Sequence, residues 1–173
     1  APKTSLNRRI SAHRRCAFST IPLSDVKRIK NHFGVTVNDV IVTITAAAVR
    51  EWLLVHDDLP TDPLLAMIPV SVRLPEEFGT FGNRVSMMSV PIPTNEHEPE
   101  RRLRLAHDWL AEAKARQEHT PRMLIQEANE GIPPALLSRT ARTLFSVAAS
   151  GVLNPPLNLV ISNVPGSPVP LYC

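Results

Sequence analysis

Six histidines, two cysteines and a few polar residues at the ends of apolar segments are what this chain offers for chemistry. His13, His32, His56, His97, His107 and His119 stand singly, with no adjacent pair among them, and a lone histidine is ordinarily a surface or packing residue. Cys16 and Cys173 lie too far apart in sequence to suggest a metal-ligand spacing or a disulfide framework, which fits a reducing cytoplasm. There is no G-x-S-x-G elbow and no cysteine paired with a histidine in a recognisable context. Gly79, Gly82 and Gly166 form no phosphate cradle, and Asp57-Asp58 sits at a helix end before a proline turn. What remains is amide, hydroxyl and guanidinium chemistry, suited to positioning a substrate or to stabilising a developing oxyanion.

Those groups fall into three places. Ser162 and Asn163 end the alternating run Leu157 to Ile161, just before Val164-Pro165-Gly166 turns the chain out of its strand. A strand end of this kind exposes hydroxyl, carboxamide and backbone N–H together, either as a wall of an active site or to satisfy the turn itself. Asn38-Asp39 precedes a long apolar helix. Asn38 is expected to cap it, and Asp39 to complement its dipole or pair with an arginine, unless the same helix end orients a substrate. Ser71 and Arg73 end one expected strand and Asn83-Arg84 begin the next, so a polar cluster at neighbouring strand ends is expected. Arg73 or Arg84 would meet a phosphate or lock the loop to a carboxylate such as Asp39. Arg139 and Arg142 are a second anion contact or a solvated helix face.

The elements that must position these groups follow from periodicity. Cys16 to Pro22 alternates loosely as a strand, and a helix capped by Ser24 then places Val26, Ile29 and Phe33 on one stripe until Gly34 ends it. The helix from Val40 to about His56 is apolar nearly all round and is expected at the centre of the core. Strands are expected at Leu64 to Val72 and Arg84 to Pro91, joined by a loop with Pro75, Gly79 and Gly82. A helix from Glu98 to about Glu118 turns Leu103, Ala106, Leu110 and Ala113 inward, with Glu100–Arg104 and Glu112–Arg116 outside. Further helices are expected from Pro121 and from Pro133 or Pro134 to Ser150. The charge-free tail is expected to be buried on both faces. Strands and helices mix without strict alternation, which points to a mixed α/β (α+β) lobe.

Composition narrows the class. A chain of 173 residues with 43% apolar content is one domain or one lobe of a larger protein. A net charge of +3 and 5% aromatic residues give no case for nucleic acid. The basic cluster Arg8, Arg9, His13, Arg14 and Arg15 reads as a solvated arm or a phosphate contact. The run Val40 to Val49 falls short of the roughly 18 residues a membrane helix needs, and prolines, asparagines and a glycine interrupt the tail.

Four segments carry a resemblance: Val37-Asn38-Asp39-Val40, Ile68-Pro69-Val70-Ser71-Val72-Arg73, Gly82-Asn83-Arg84, and Pro156-Leu157-Asn158-Leu159-Val160-Ile161-Ser162-Asn163-Val164-Pro165-Gly166 followed by Pro170-Leu171-Tyr172. In this order they resemble the bacterial wax ester synthase/acyl-CoA:diacylglycerol acyltransferase family. The resemblance implies a chloramphenicol-acetyltransferase-like fold in which two lobes flank a tunnel, with residues 1–173 as the C-terminal lobe, incomplete at its C-terminus, and residues 1–15 as an arm from the interlobe linker. It implies transfer of a fatty acyl group from acyl-CoA to diacylglycerol or a long-chain alcohol. The base would be a histidine of an H-H-x-x-x-D-G motif in the N-terminal lobe, since no such motif occurs here. Asn38, Asp39, Ser71, Arg73, Asn83, Arg84, Ser162 and Asn163 would line or order the tunnel. No metal and no bound cofactor are expected, with acyl-CoA as substrate, at the cytoplasmic surface of a membrane or lipid inclusion. A non-catalytic lipid-binding or scaffold lobe, and the acceptor-side lobe of a peptide-forming condensation domain, are the alternatives.

Overall fold

The computed structural model describes residues 1–8, 11–71, 85–118, 143, 154–164 and 166. Within them a three-stranded sheet carries helices on one face. Strand β1 (Leu64–Ser71) pairs antiparallel with β2 (Val85–Ile92), from Leu64 opposite Ile92 to Ser71 opposite Val85. On its other side β1 pairs in parallel with the short β3 (Leu159–Val160), so the order is β2-β1-β3. Both long strands appear where the continuous apolar run from Leu64 and the segment before Pro91 place them. The inward residues Leu64, Ala66 and Ile68 of β1 and Met88, Val90 and Ile92 of β2 are buried.

Three helices build the rest. Helix α1 (Leu23–Phe33) is followed by α2 (Val37–Val55), and α3 (Pro99–Glu118) lies further along the chain. Val42, Ala46 and Leu53 of α2 and Ala106, Leu110 and Ala113 of α3 join the sheet's inner residues and Ile161 in the main core. Val26, Val35, Val40 and Leu103 form a second core where α1, α2 and α3 meet. The stripe expected on α3 is therefore the one that packs. Pro99 takes the first helical position, and the Glu98 carboxylate accepts from the N–H groups of Glu100 (3.0 Å) and Arg101 (2.5 Å). Those two N–H groups hold the Glu98 carboxyl below its ordinary value. Gly34 ends α1 in the left-handed region at φ 68, the conformation that glycine alone adopts without cost.

Several expectations are corrected. Helix α1 has Pro22 at its cap position with no side-chain cap, and Ser24 lies inside the first turn. Residues 16–22 make no strand, because no described segment lies alongside to pair with them. Helix α2 is buried along one side only, with Trp52, Leu54 and Val55 exposed. The tail is not covered on both faces: Asn158 and Ile161 are buried while Val160 is 58% exposed. The strand there is also shorter than its alternation implies, pairing in register only with Ala66 and Met67.

Residues 1–7 are tied back onto the body. Thr4 is buried, the Ala1 nitrogen donates to the Pro155 carbonyl at 3.0 Å, and the Asn7 carboxamide donates to the Leu157 carbonyl at 2.8 Å. Buried Asn158 is the knot of this arrangement. Its Oδ1 accepts from the Leu65 N–H at 2.9 Å, and its Nδ2 donates to the Pro2 carbonyl and to Asn7 Oδ1, both at 2.8 Å. Of the basic cluster, Arg8, His13, Arg14 and Arg15 are exposed and Arg9 lies outside the described residues.

Candidate functional site

The N-terminus of α2 is built by a capping box. Thr36, not Asn38, is the cap: its Oγ1 accepts from the Asp39 N–H at 3.2 Å, and Asp39 Oδ2 accepts from the Thr36 N–H at 2.8 Å. The T-x-x-D spacing at 36–39 was the signal for this cap. Asn38 is thereby released from capping and stands one residue into the helix, half-buried, with its carboxamide free to reach across the structure.

Asp39 is 4% exposed. The same Oδ2 that closes the capping box lies 2.8 Å from Nδ1 of His107 on α3. An ionised carboxylate only accepts, so this geometry puts the imidazole hydrogen on Nδ1 and fixes the ring to α2. Asp39 thus pairs with a histidine rather than with an arginine. His107 is the residue that sequence reasoning did not single out. It follows Leu103 by one helical turn and flanks the apolar stripe, but its partner is 68 residues away and only the tertiary fold reveals it.

Asn163 closes the site from the other side. Its Nδ2 lies 3.4 Å from Oδ1 of Asn38, linking positions 125 residues apart. Because β3 runs parallel to β1, and the Ile161 N–H continues the ladder to the Met67 carbonyl at 3.0 Å, Ser162 and Asn163 leave the sheet at the edge where β1 reaches Ser71. The C-terminal ends of two parallel strands therefore meet a helix N-terminus. Carboxamides, a hydroxyl and the positive end of α2 converge there, an arrangement that can hold an anionic or polarised oxygen. Ser162 and Asn163 are exposed. Ser71 is exposed at the end of β1 and engaged in an interaction of its own. The structure thus brings Asn38, Asp39 and Asn163 together and puts Ser162 and Ser71 at the same sheet edge. Arg73, Asn83 and Arg84 lie outside the described residues, as do Arg139 and Arg142.

No group of three or more metal-ligating side chains occurs among the described residues, and no single described helix is long and apolar enough to cross a membrane.

The profile of the WS/DGAT C-terminal domain matches residues 81–173. The chain belongs to the wax ester synthase/diacylglycerol acyltransferase family. The catalytic-domain profile of the same family matches residues 1–41. A Mycobacterium tuberculosis protein named as a candidate diacylglycerol O-acyltransferase is 37% identical over 172 residues, covering 99% of this chain and 37% of that protein. The O-acyltransferase WSD of Acinetobacter baylyi is 32% identical, covering 99% of this chain and 36% of its own length. The structure of a wax ester synthase/diacylglycerol acyltransferase from Marinobacter aquaeolei superposes with a TM-score of 0.67 at 31% identity, covering 96% of this chain and 35% of that one. The mixed α/β architecture is thus that of the family, and the chain spans about a third of the length of the relatives it matches.

Proposed function

We propose that this chain is the C-terminal lobe of an O-acyltransferase that moves a fatty acyl group from acyl-CoA to diacylglycerol or a long-chain alcohol. The base that takes the hydroxyl proton belongs to the catalytic domain outside this chain. The corner described here orders the reaction from the opposite side. The observation that carries this reading is the contact between Asn38 and Asn163, which sets two carboxamides beside the capped N-terminal end of α2 at the exit of the parallel strands. Names of relatives that include diacylglycerol O-acyltransferase and wax ester synthase support the substrate class.

Acyl transfer from a thioester develops negative charge on the carbonyl oxygen, and N–H donors held in place before the reaction stabilise it most effectively. Asn163 Nδ2, through the hydrogen it does not give to Asn38, and the backbone N–H groups of Val37 and Asn38 are such donors, since those of Asp39 and Val40 are taken by Thr36. Asp39 is consumed by Thr36 and His107, so its part is to fix that turn rather than to exchange protons. No cofactor is required: the thioester C–S bond breaks as the ester C–O bond forms, and coenzyme A leaves as the free thiol, carrying the proton taken from the acceptor hydroxyl. Both acceptors partition into lipid, which supports a location peripheral to a membrane or lipid inclusion, read here as its cytoplasmic surface.

In the full-length protein, Asn163→Ala is expected to lower acyltransferase turnover by on the order of 100-fold, read as coenzyme A release with hexadecanol or diacylglycerol as acceptor. A loss of less than about fivefold in a folded variant would remove Asn163 from the reaction. A full-length protein that binds lipid but never releases coenzyme A would favour the scaffold lobe instead.

A further inference from the structure

The stretch between the docked N-terminus and α1 is unlike anything else in the described structure. Residues 1–7 are held by the Ala1, Asn7 and Asn158 hydrogen bonds, and α1 packs Val26 into the second core. Between these fixed points, residues 13–22 run without turn, bend or bridge, and every residue from 11 to 24 is exposed. Among the described residues, no backbone N–H or carbonyl from Arg14 to Ile21 has a hydrogen-bond partner. The side chains are of the wrong kind for such a place: Phe18 is 96% exposed, Ile21 49% and Leu23 56%.

Extended backbone with unpaired polar groups and apolar side chains is the description of an edge strand without its sheet. Edges that must stay in water carry lysines, inward charges, bulges or prolines. From Cys16 to Ile21 there is none of these, and the types Cys-Ala-Phe-Ser-Thr-Ile suit a strand. The occupant is indicated by the family boundaries. The segment lies inside the 1–41 match to the catalytic domain, while the C-terminal domain match begins at residue 81, and about two-thirds of each relative lies beyond what this chain covers. It is thus the end of a domain whose bulk is elsewhere.

We propose that Cys16–Ile21 is a donated β-strand: it adds to an open sheet edge in the part of the catalytic domain outside this chain, with Phe18 entering an apolar pocket there. This rests on the two-lobe reading above. The strand anchors one lobe on the other, held on one side by the Asn158 knot and on the other by α1. Main-chain hydrogen bonds supply attachment and the alternate side chains supply register, as in other cases of strand addition.

Hydrogen exchange resolved by peptide, without substrate, tests it on the 173-residue chain and on the full-length protein. Amides of residues 16–21 are expected to exchange at the unprotected rate in the chain alone and at least about 100-fold more slowly in the full-length protein. Ser19→Pro in the full-length protein removes one ladder donor and is expected to abolish that protection while α2 and β1 stay protected. Equal, fast exchange in both wild-type proteins would overturn the proposal. So would protection in the chain alone that grows with its concentration, which would make the occupant a second copy. A protected segment in a protein that releases no coenzyme A refutes the acyltransferase reading and leaves the strand standing; an active enzyme with a bare segment does the reverse.

Discussion

The corner at the start of α2 and the strap before α1 are both made of short stretches with clear local patterns, yet one is closed by this chain and the other is not. At the corner, Thr36 and Asp39 satisfy each other locally, and His107 and Asn163 arrive from 68 and 125 residues away. In the strap, residues that suit a strand find no partner among the described residues, and Phe18 remains 96% exposed. Local preference is a weak term in either case. What separates them is whether distant partners from the same chain are present to satisfy backbone and side-chain polar groups.

The largest effect is expected where that closure is removed. Asp39→Ala deletes the capping acceptor for the Thr36 N–H and the partner of His107 Nδ1 in a single step. Losing a cap costs about 1 kcal/mol, and losing a buried hydrogen bond to a charged group about 1.5–3 kcal/mol more. A destabilisation of about 3 kcal/mol by urea unfolding is the expected outcome. His107→Asn keeps a donor near the position of Nδ1 and is expected to retain more of the stability than His107→Ala. Equal losses for the two would show that the imidazole packs there without holding Asp39.

The same contrast explains what could be read before the fold was known. The stripe Leu103, Ala106, Leu110 and Ala113, the two long strands and the Gly34 stop follow from periods and from conformational freedom that act within a few residues, and all are found. Asn38 and Asn163 were recognisable as polar residues at element ends, and the parallel pairing of β3 with β1 brings them together. Asn38 does not cap the helix as its type suggests: Asn and Thr both suit that position, and only the reciprocal bonds between Thr36 and Asp39 decide between them. His107 was passed over because nothing nearby in sequence marks it. The strand expected at residues 16–22 failed for a third reason: a strand is a relation between two segments, and its alternation carries no information about where the second one is.

A smaller effect is expected at Asn158, which does for the docked N-terminus what Asp39 does for α2. Asn158→Ala leaves the Leu65 N–H and the Pro2 carbonyl without partners near the sheet, at an expected cost of about 2 kcal/mol. Its signature is local. Amides of residues 1–8 and of Leu65 should lose exchange protection while α3 keeps its own, so the first eight residues come to resemble the strap. If they remain protected, the Ala1 and Asn7 bonds hold the terminus by themselves and the knot is redundant.

The smallest effect concerns Asp58, the second tether of that terminus. The Ser5 hydroxyl and the Ser5 backbone N–H both face its carboxylate and hold its carboxyl below the ordinary value. Only the N–H meets hydrogen-bond geometry, at 2.5 Å. A carboxyl whose value is lower in the folded state stabilises that state above its unfolded value of about 3.9 and loses the contribution as pH falls through the folded value. At neutral pH the tether is therefore fully made, and acidification to below about pH 4 should release it. Nuclear magnetic resonance titration of the Ser5 amide is expected to show the change, with exchange protection at residues 1–8 falling in the same range. The strap, with no carboxylate of its own between residues 11 and 24, should report nothing over that interval. A matching change in the strap would mean that residues 1–8 and the strap move as one.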